Sequence, residues 1–334
     1  MYLRFTWWRV HCQHCHGVHV EKLSWLADNT RYTKRFAIEI GQCCRDSTNK
    51  AVARKFALHE HTVKELDKQY MISCLAKLPK MSPTILGVDE IAIRKGHRYR
   101  IIVSDLILER PIWVGDEGRK EADFQPFFDE LGENKSKKIQ LAVMDMWPAF
   151  RNALEKNCPN ADILYDKFHI MNHLNDRVDD VRKQEYRSAS IEQRKYIKGQ
   201  RYILLSHRRN LDSRGKQSLK ELLAVNRRLC KTYILKEQFS QLWDYKSETW
   251  ARKFFDNWRK QLRWQKLEPL VKFAAMVDKH WDGIVSHCTL EHHIKLGYIE
   301  GANNKIKVMQ RQAYGYRDEE YLKLKIKTAF LPRK

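Results

Sequence analysis

The feature that most constrains the fold of this chain is a change of hydrophobic periodicity near residue 85. Most of the sequence before residue 81 and after residue 170 has helical spacing, and Gly and Pro are scarce, at 13 and 8 residues in 334. Between residues 85 and 165 the spacing is that of short strands interrupted by two helices. The pattern therefore predicts a sheet that lies between long helical segments, and it argues against an all-β fold.

The order of elements in this block narrows the fold further. Three strands form an antiparallel meander, with a turn at Arg94-Lys95-Gly96-His97, and two later strands read as buried parallel strands. The predicted strands are Ile85–Ile93, Tyr99–Leu108, Pro111–Gly115, Ile139–Asp145 and Ala161–Tyr165, and the predicted helices are Glu121–Leu131 and Trp147–Lys156. The order strand, strand, strand, helix, strand, helix, strand is uncommon and is that of a ribonuclease-H-like α/β domain.

The first 30 residues contain one pair of close cysteines. Cys12 and Cys15 follow an alternating, strand-like stretch and are typical of one knuckle of a zinc ribbon. Zinc takes four ligands, so a site here needs help from His16, His19, Cys43 or Cys44, or from a second cysteine pair. The alternative is two unmetallated thiols beside a β-ribbon.

Residues 31–80 are helical and contain the spacing of a helix-turn-helix between Asn49 and Met71. Ala53 allows a close helix crossing, Ala57 allows the tight turn, and Val63 and Leu66 pack the second helix onto the first. The outward-facing residues of the second helix are the candidate DNA contacts: Glu60, His61, Thr62, Lys64 and Lys68. Plain helical packing is the alternative.

The charge of the chain predicts a polyanionic partner. Lys and Arg number 63 against 41 Asp and Glu, a net charge of +22. Residues 181–240 hold 16 basic and 5 acidic residues, a net of +11, whereas residues 81–180 hold 14 and 18, a net of −4. We therefore expect a carboxylate centre that binds cations within a protein that grips phosphates. Alternatively, each charged run is a solvated helix face.

The distribution of apolar residues argues against a membrane protein or a secreted protein. No run of about 18 apolar residues exists, and the N-terminus lacks the pattern of a signal peptide. The eight Cys are scattered, so we expect reduced thiols and a cytoplasmic, nucleoid-associated protein.

The helical segment 171–290 contains a recurrent tryptophan. Trp243, Trp250 and Trp258 lie 7 and 8 residues apart, which predicts one helical face. Core packing is the ordinary meaning of such a stripe, and stacking on unpaired bases is the alternative. Two further helices are predicted, at 299–312 and 318–330.

Three carboxylates stand out by their context. Asp89 lies inside an apolar strand, Asp145 ends another, and Glu300 lies early in a helix. A buried carboxylate is costly unless it is paired or binds a metal. Strand alternation places Asp89 and Glu90 on opposite faces, so only one of the two can join a given cluster. Along the helix that contains Glu300, one face also carries an amide and two cations, at Asn304, Lys307 and Arg311.

Four sequence blocks resemble the signatures of bacterial insertion-sequence DDE transposases of the ISL-three family. The blocks start at Asp89-Glu90-Ile-Ala-Ile, Val143-Met-Asp145-Met-Trp, Tyr165-Asp166-Lys-Phe-His169 and Glu300-Gly-Ala-Asn-Asn304. The resemblance covers nearly the whole chain and implies Asp89, Asp145 and Glu300 as a DDE triad that holds two Mg²⁺ or Mn²⁺ ions. It implies a supporting role for Asp166 and His169, and phosphate contacts from Lys305, Lys307 and Arg311.

The resemblance also implies a domain plan. A partial zinc ribbon at 1–30 and a helix-turn-helix at 31–80 precede a ribonuclease-H-like catalytic domain, 81–175 and 286–334, interrupted by a helical insertion at 176–285. Family members usually have two cysteine pairs, so we expect a chain shortened at its N-terminus. The implied partners are transposon-end DNA, target DNA and a second copy of the chain. The alternatives are an inactive remnant, a DNA-binding regulator or a metal-dependent structure-specific nuclease.

Overall fold

The computed structural model describes residues 3–94, 98–289 and 297–332. The chain divides into two compact units, one formed by Met1–Lys80 with Lys305–Lys334 and the other by Met81–Asn304. The C-terminal 30 residues thus belong to the unit of the N-terminal helices, whereas the predicted plan grouped them with the sheet.

Seven strands and sixteen α-helices occur in the described residues. The strands are β1 Arg9–His11, β2 Val18–Val20, β3 Ile85–Arg94, β4 Arg98–Asp105, β5 Arg110–Glu117, β6 Leu141–Met144 and β7 Asp162–Tyr165. The helices are α1 Lys34–Asp46, α2 Asn49–Phe56, α3 Glu60–Ala76, α4 Glu121–Leu131, α5 Glu133–Ser136, α6 Pro148–Asn157, α7 Lys167–Ser188, α8 Ile191–Ile197, α9 Arg201–Leu205, α10 Ser213–Val225, α11 Arg227–Phe239, α12 Glu248–Trp264, α13 Glu268–Lys279, α14 Trp281–Thr289, α15 Gly297–Gln312 and α16 Glu319–Thr328.

The second unit is built on one five-stranded mixed sheet of order β5-β4-β3-β6-β7. Strands β3, β4 and β5 form the predicted antiparallel meander, and β6 and β7 pair in parallel beside β3. The predicted order of strands and helices is thereby confirmed, with the short α5 as an addition. The turn predicted at 94–97 includes residues 95–97, which lie outside the described part of the chain.

The two faces of this sheet are covered differently. Leu86, Val88, Ala142 and Met144 pack with the phenylalanines of α4 and with Phe150 of α6. The opposite face carries Ile85, Leu141, Val143, Leu164 and Leu106, and Ile299 of α15 packs against it. The strand residues of each set alternate, as burial on both faces of a central strand requires.

Between β7 and residue 289 the described chain is mostly helical, as predicted. Trp258 is fully buried, and its ring N–H donates to the Leu235 carbonyl at 2.9 Å. The predicted tryptophan stripe is wrong, because Trp243 lies in a 3₁₀ turn and a new helix begins at Glu248. Trp250 is therefore not in phase with Trp243 and is 59% exposed.

The helices of the first unit contain the predicted helix-turn-helix. Thr48 caps α2, and Ala57 ends it in the left-handed region with φ of 53°. Ala53, Val63 and Leu66 are buried, as the spacing predicted. The C-terminal helix α16 packs on α3 and completes this unit. Within the described ranges no helix is long and apolar enough to cross a membrane.

Candidate active site

Three carboxylates line up across the parallel part of the sheet. Val88 of β3 pairs with Met144 of β6, and Met144 pairs with Tyr165 of β7. The next residue along each strand direction is an aspartate: Asp89, Asp145 and Asp166. Because residues that follow paired positions in parallel strands are neighbours, the register alone puts these three side chains at one edge of the sheet.

His169 lies between the two predicted catalytic aspartates. Its Nδ1 is 3.5 Å from an oxygen of Asp145, and its Nε2 is 3.9 Å from an oxygen of Asp89. Asp166 positions this ring, since it caps α7 by accepting a hydrogen bond from the Phe168 N–H at 2.9 Å, and His169 follows in the first turn. The Asp-x-x-His block therefore connects strand end and helix start.

The electrostatics of the cluster favour a cation. Burial disfavours the charged imidazolium, but the carboxylates of Asp89, Asp145 and Asp166 outweigh burial and raise the pKa of His169 to about 9. Burial raises the pKa of Asp166, and the Phe168 N–H and His169 oppose this shift. A protonated histidine thus stands where the carboxylates concentrate negative potential.

Asp89 and Glu90 point to opposite faces of β3, as strand alternation predicted. Asp89 is buried, and its Oδ1 accepts the Glu90 backbone N–H at 2.7 Å. The Glu90 carboxylate instead pairs with Arg119 at 3.1 Å. The guanidinium of Arg119 lies over the rings of Tyr99 and Trp147, at 4.7 and 4.4 Å from their centroids. Glu90 therefore pairs with Arg119 and does not join the cluster of Asp89.

Glu300 lies on a helix that packs against the sheet. It lies in the first turn of α15 and is exposed. One residue earlier, Ile299 packs against Gly87, where an added Cβ would come within 3.0 Å of the Ile299 side chain and 2.7 Å of Leu106. Glycine at position 87 thus lets α15 approach β3 two residues before Asp89.

The three predicted triad carboxylates do not form a tight cluster. Among the described residues, the one group of three or more His, Cys, Asp or Glu whose ligand atoms all lie within 4.8 Å is elsewhere in the chain. The oxygen donors themselves are the kind that Mg²⁺ and Mn²⁺ prefer.

Sequence reasoning missed one residue of the site. The amide that it selected, Asn304, was predicted to contact DNA, and Asn304 is exposed. Asn303 is buried instead, and its Nδ2 donates to Asp89 Oδ2 at 2.5 Å. The helical spacing could have identified Asn303, because it lies four residues after the apolar Ile299 and so shares the inward face of α15.

The N-terminal cysteines lie in a knuckle between β1 and β2. The thiol of Cys15 is 3.1 Å from His19 Nε2, and ligand atoms of Cys12, Cys15 and His19 lie within 4.8 Å of one another. Backbone N–H groups of Cys15 and His14 stabilise the Cys12 thiolate and lower its pKa. Of the helpers named from sequence, His19 joins the pair, whereas Cys44 is buried in the helical core of the first unit.

The predicted DNA contacts of α3 are only partly available. His61 is exposed and Thr62 is half-buried. Lys64 and Lys68 do not present free charges as predicted, because both pair with Asp318, at 2.6 and 3.0 Å, and Lys68 also pairs with Glu320. The outward spacing of the lysines is correct, but α16 supplies carboxylates that the local pattern could not reveal.

The predicted cations of α15 have different environments. Lys305 donates to the Ala329 carbonyl at 2.6 Å and lies over the Phe330 ring. Lys307 and Arg311 are exposed on the solvent side of the helix. These two residues are accordingly the better placed to meet phosphates.

Replacing Asp318 with asparagine is expected to raise the affinity for double-stranded DNA about two- to tenfold at low salt. The change frees Lys64 and leaves Lys68 paired with Glu320 alone, and surface pairs of this kind are each worth about 0.2–1 kcal/mol. Asparagine still caps α16, where Asp318 accepts the Tyr321 N–H. Fluorescence anisotropy with a short duplex measures the effect. Glu320→Gln, which touches only Lys68, is the control with a smaller gain, and equal affinities for wild type and Asp318→Asn would contradict the prediction.

Comparisons with known proteins agree with these features. A family model described as a transposase matches residues 86–326, and one described as the helix-turn-helix domain of transposase family ISL3 matches residues 21–71. The chain is 35% identical over 325 residues to the transposase for insertion sequence element IS1001 of Bordetella parapertussis, covering 96% of this chain and 79% of that protein. It is 24% identical over 343 residues to the transposase for IS1557 of Mycobacterium tuberculosis, covering 94% and 75%. On both matched models and on the likeness to these relatives, the chain belongs to the ISL3 (ISL-three) family of transposases.

Proposed function

We propose that this transposase cleaves DNA at the ends of its insertion sequence and joins them to target DNA by a DDE mechanism. Asp89, Asp145 and Glu300 are the proposed triad. The observation that carries the proposal is the placement of Asp89 and Asp145 at neighbouring parallel strands, on either side of His169, with the helix of Glu300 held against Asp89. Carboxylate oxygens brought together at one edge of a sheet can bind divalent cations.

A ribonuclease-H-like fold is part of the same proposal. The sheet order β5-β4-β3-β6-β7, with three antiparallel strands followed by two parallel ones, supports it. We retain residues 81–175 as its core and residues 176–285 as a helical insertion.

The chain's own groups have distinct tasks in this mechanism. Asp89, Asp145 and Glu300 would hold two divalent ions, which when bound activate a water and stabilise the leaving oxygen of the phosphodiester. Asp89, the most buried of the three, would be one of the ligands of these ions. His169 lies between Asp89 and Asp145, where a protonated imidazole offsets the mutual repulsion of the two carboxylates. No Ser or Tyr nucleophile is needed.

Phosphate binding is proposed for the exposed cations. Lys307 and Arg311 follow Glu300 along α15, and the stretch 181–240 carries a net charge of +11. Such contacts do not read sequence, so the affinity for DNA should fall steeply with salt. Sequence reading is assigned to the helix-turn-helix, through His61 and Thr62 of α3. A second copy of the chain, needed to pair two DNA ends, stays a prediction.

The deciding experiment is cleavage of a plasmid that carries the element's own ends, with Mg²⁺ or Mn²⁺. We expect wild type to nick at the ends and to join them to a target, and Glu300→Ala to do neither. Cleavage without joined products would favour a structure-specific nuclease. Salt-sensitive binding without cleavage under any divalent ion would favour a remnant or regulator.

We propose that Cys12, Cys15 and His19 supply three of the four ligands of a zinc ion. We expect about one zinc per chain in wild type, because thiolate and imidazole are zinc's preferred ligands, and loss of that zinc in Cys15→Ser. Elemental analysis of the dialysed protein measures both, with Cys230→Ser as the control that keeps its zinc. A zinc-free wild-type protein would rule the site out.

A further inference from the structure

We propose that Asn303 is a positioning residue, which orients the Asp89 carboxylate for metal binding and fixes the helix of Glu300 against it. The inference rests on the proposed function and adds to it a residue outside the DDE triad. Asn303 is 8% exposed, Asp89 is 9% exposed, and one hydrogen bond joins them. The contact is therefore shielded from water, where a hydrogen bond to a charged group is strong.

Among the described residues, each oxygen of Asp89 accepts one hydrogen bond, and the nearby His169 Nε2 lies 3.9 Å from Oδ2. Oδ1 accepts the Glu90 N–H, and Oδ2 accepts the Asn303 side chain. A carboxylate has about four lone-pair sites, so about two remain for cations. Because both oxygens are held, the plane of the carboxylate is fixed before any ion binds.

The chemistry of an amide suits this position. A Lys or Arg donor would cancel the negative charge of Asp89 and compete with a divalent ion, and an Asp would repel it. An amide donates a hydrogen bond without bringing a charge, so Asn303 itself does not compete with a cation for Asp89.

The position of Asn303 on α15 links two members of the triad. Ile299 and Asn303 are four residues apart and both face β3, where they meet Gly87 and Asp89. Glu300 is three residues before Asn303 and is its neighbour on the helix surface. The apolar contact at Gly87 and the hydrogen bond at Asp89 thus fix both the height and the rotation of α15, and with them the place of Glu300.

Titration of the protein with Mn²⁺, followed by electron paramagnetic resonance of the free ion, tests the inference without DNA. Mn²⁺ prefers carboxylate oxygens over the N-terminal thiolates. We expect Asn303→Leu, which keeps the volume and removes the donor, to weaken Mn²⁺ binding about 10- to 100-fold, the usual effect of losing a hydrogen bond behind a metal ligand. Gln312→Leu removes an exposed amide from the same helix and should bind Mn²⁺ as wild type does.

A double-mutant comparison separates positioning from general damage. In an Asp89→Asn background, Asn303→Leu should cause little further loss, because its effect passes through Asp89. Thermal unfolding of each variant, with Asn303→Ala as a second truncation should Asn303→Leu not fold, gives the stability. Mn²⁺ affinity within twofold of wild type in a folded variant, or an equal loss in the Asp89→Asn background, would overturn the inference. A wild-type protein that binds no Mn²⁺ would instead overturn the proposed function itself.

Discussion

Replacing Asp89 with asparagine is expected to lower DNA cleavage by about 10³-fold or more while leaving DNA binding intact. The carboxylate is a proposed ligand of the divalent ions, and metal stabilisation of the reacting phosphate is worth several kcal/mol, at 1.36 kcal/mol for each factor of ten. The amide has nearly the same shape, so the packing of β3 should persist. Single-turnover cleavage of an end-containing duplex at saturating protein measures the rate, and a gel-shift titration measures binding.

Glu90→Gln is the matched control for this change. It alters the same functional group one residue away, on the opposite face of β3, where Glu90 pairs with Arg119. Its rate should stay within about tenfold of wild type, because the amide still accepts a hydrogen bond from Arg119. If Glu90→Gln were as inactive as Asp89→Asn, the assignment of the catalytic face would be wrong.

Replacing Lys325 with methionine is expected to destabilise the helix-turn-helix unit by about 3–5 kcal/mol, the usual cost of leaving a buried charge without its partner. Asp67 of α3 is 1% exposed, and its Oδ2 accepts hydrogen bonds from Lys325 at 2.6 Å and from the Tyr321 hydroxyl at 2.5 Å. Burial raises the pKa of Asp67 in spite of both partners, so its charge depends on them. Hydrogen exchange of the α3 and α16 amides measures the loss.

Restoring neutrality should recover most of this stability. In the double variant Asp67→Asn with Lys325→Met no charge stays buried, and the new amide oxygen still accepts from Tyr321. Lys50→Met removes an exposed lysine of the same unit and should change its stability by no more than about 0.5 kcal/mol. A Lys325→Met protein as stable as wild type would mean that α16 contributes packing alone.

Local patterns in the sequence were enough for most elements, and the family resemblance was needed to group the catalytic candidates. The meander, α4, α6 and the turn at Ala57 follow from periodicity, from Pro148 at a helix start and from a small residue that tolerates the left-handed region. Asp89 could be selected as a candidate site residue because a charge inside an apolar strand is costly unless it is paired or binds a metal. The tryptophan stripe failed because spacing alone does not show where one helix ends and another begins.

Tertiary structure decided how these residues meet. The parallel register of β3, β6 and β7 brings Asp89, Asp145 and Asp166 into a row. Local sequence patterns do not show which strands pair or in what register. Contacts between residues far apart in sequence place the Asn303 amide at Asp89 and pair Lys64 and Lys68 with Asp318. By itself, the sequence determined which segments are helices or strands and which carboxylates are out of place, because those properties depend on neighbours along the chain. Only the tertiary structure determined which charged side chains are exposed and which are paired, because their partners come from segments distant in the sequence.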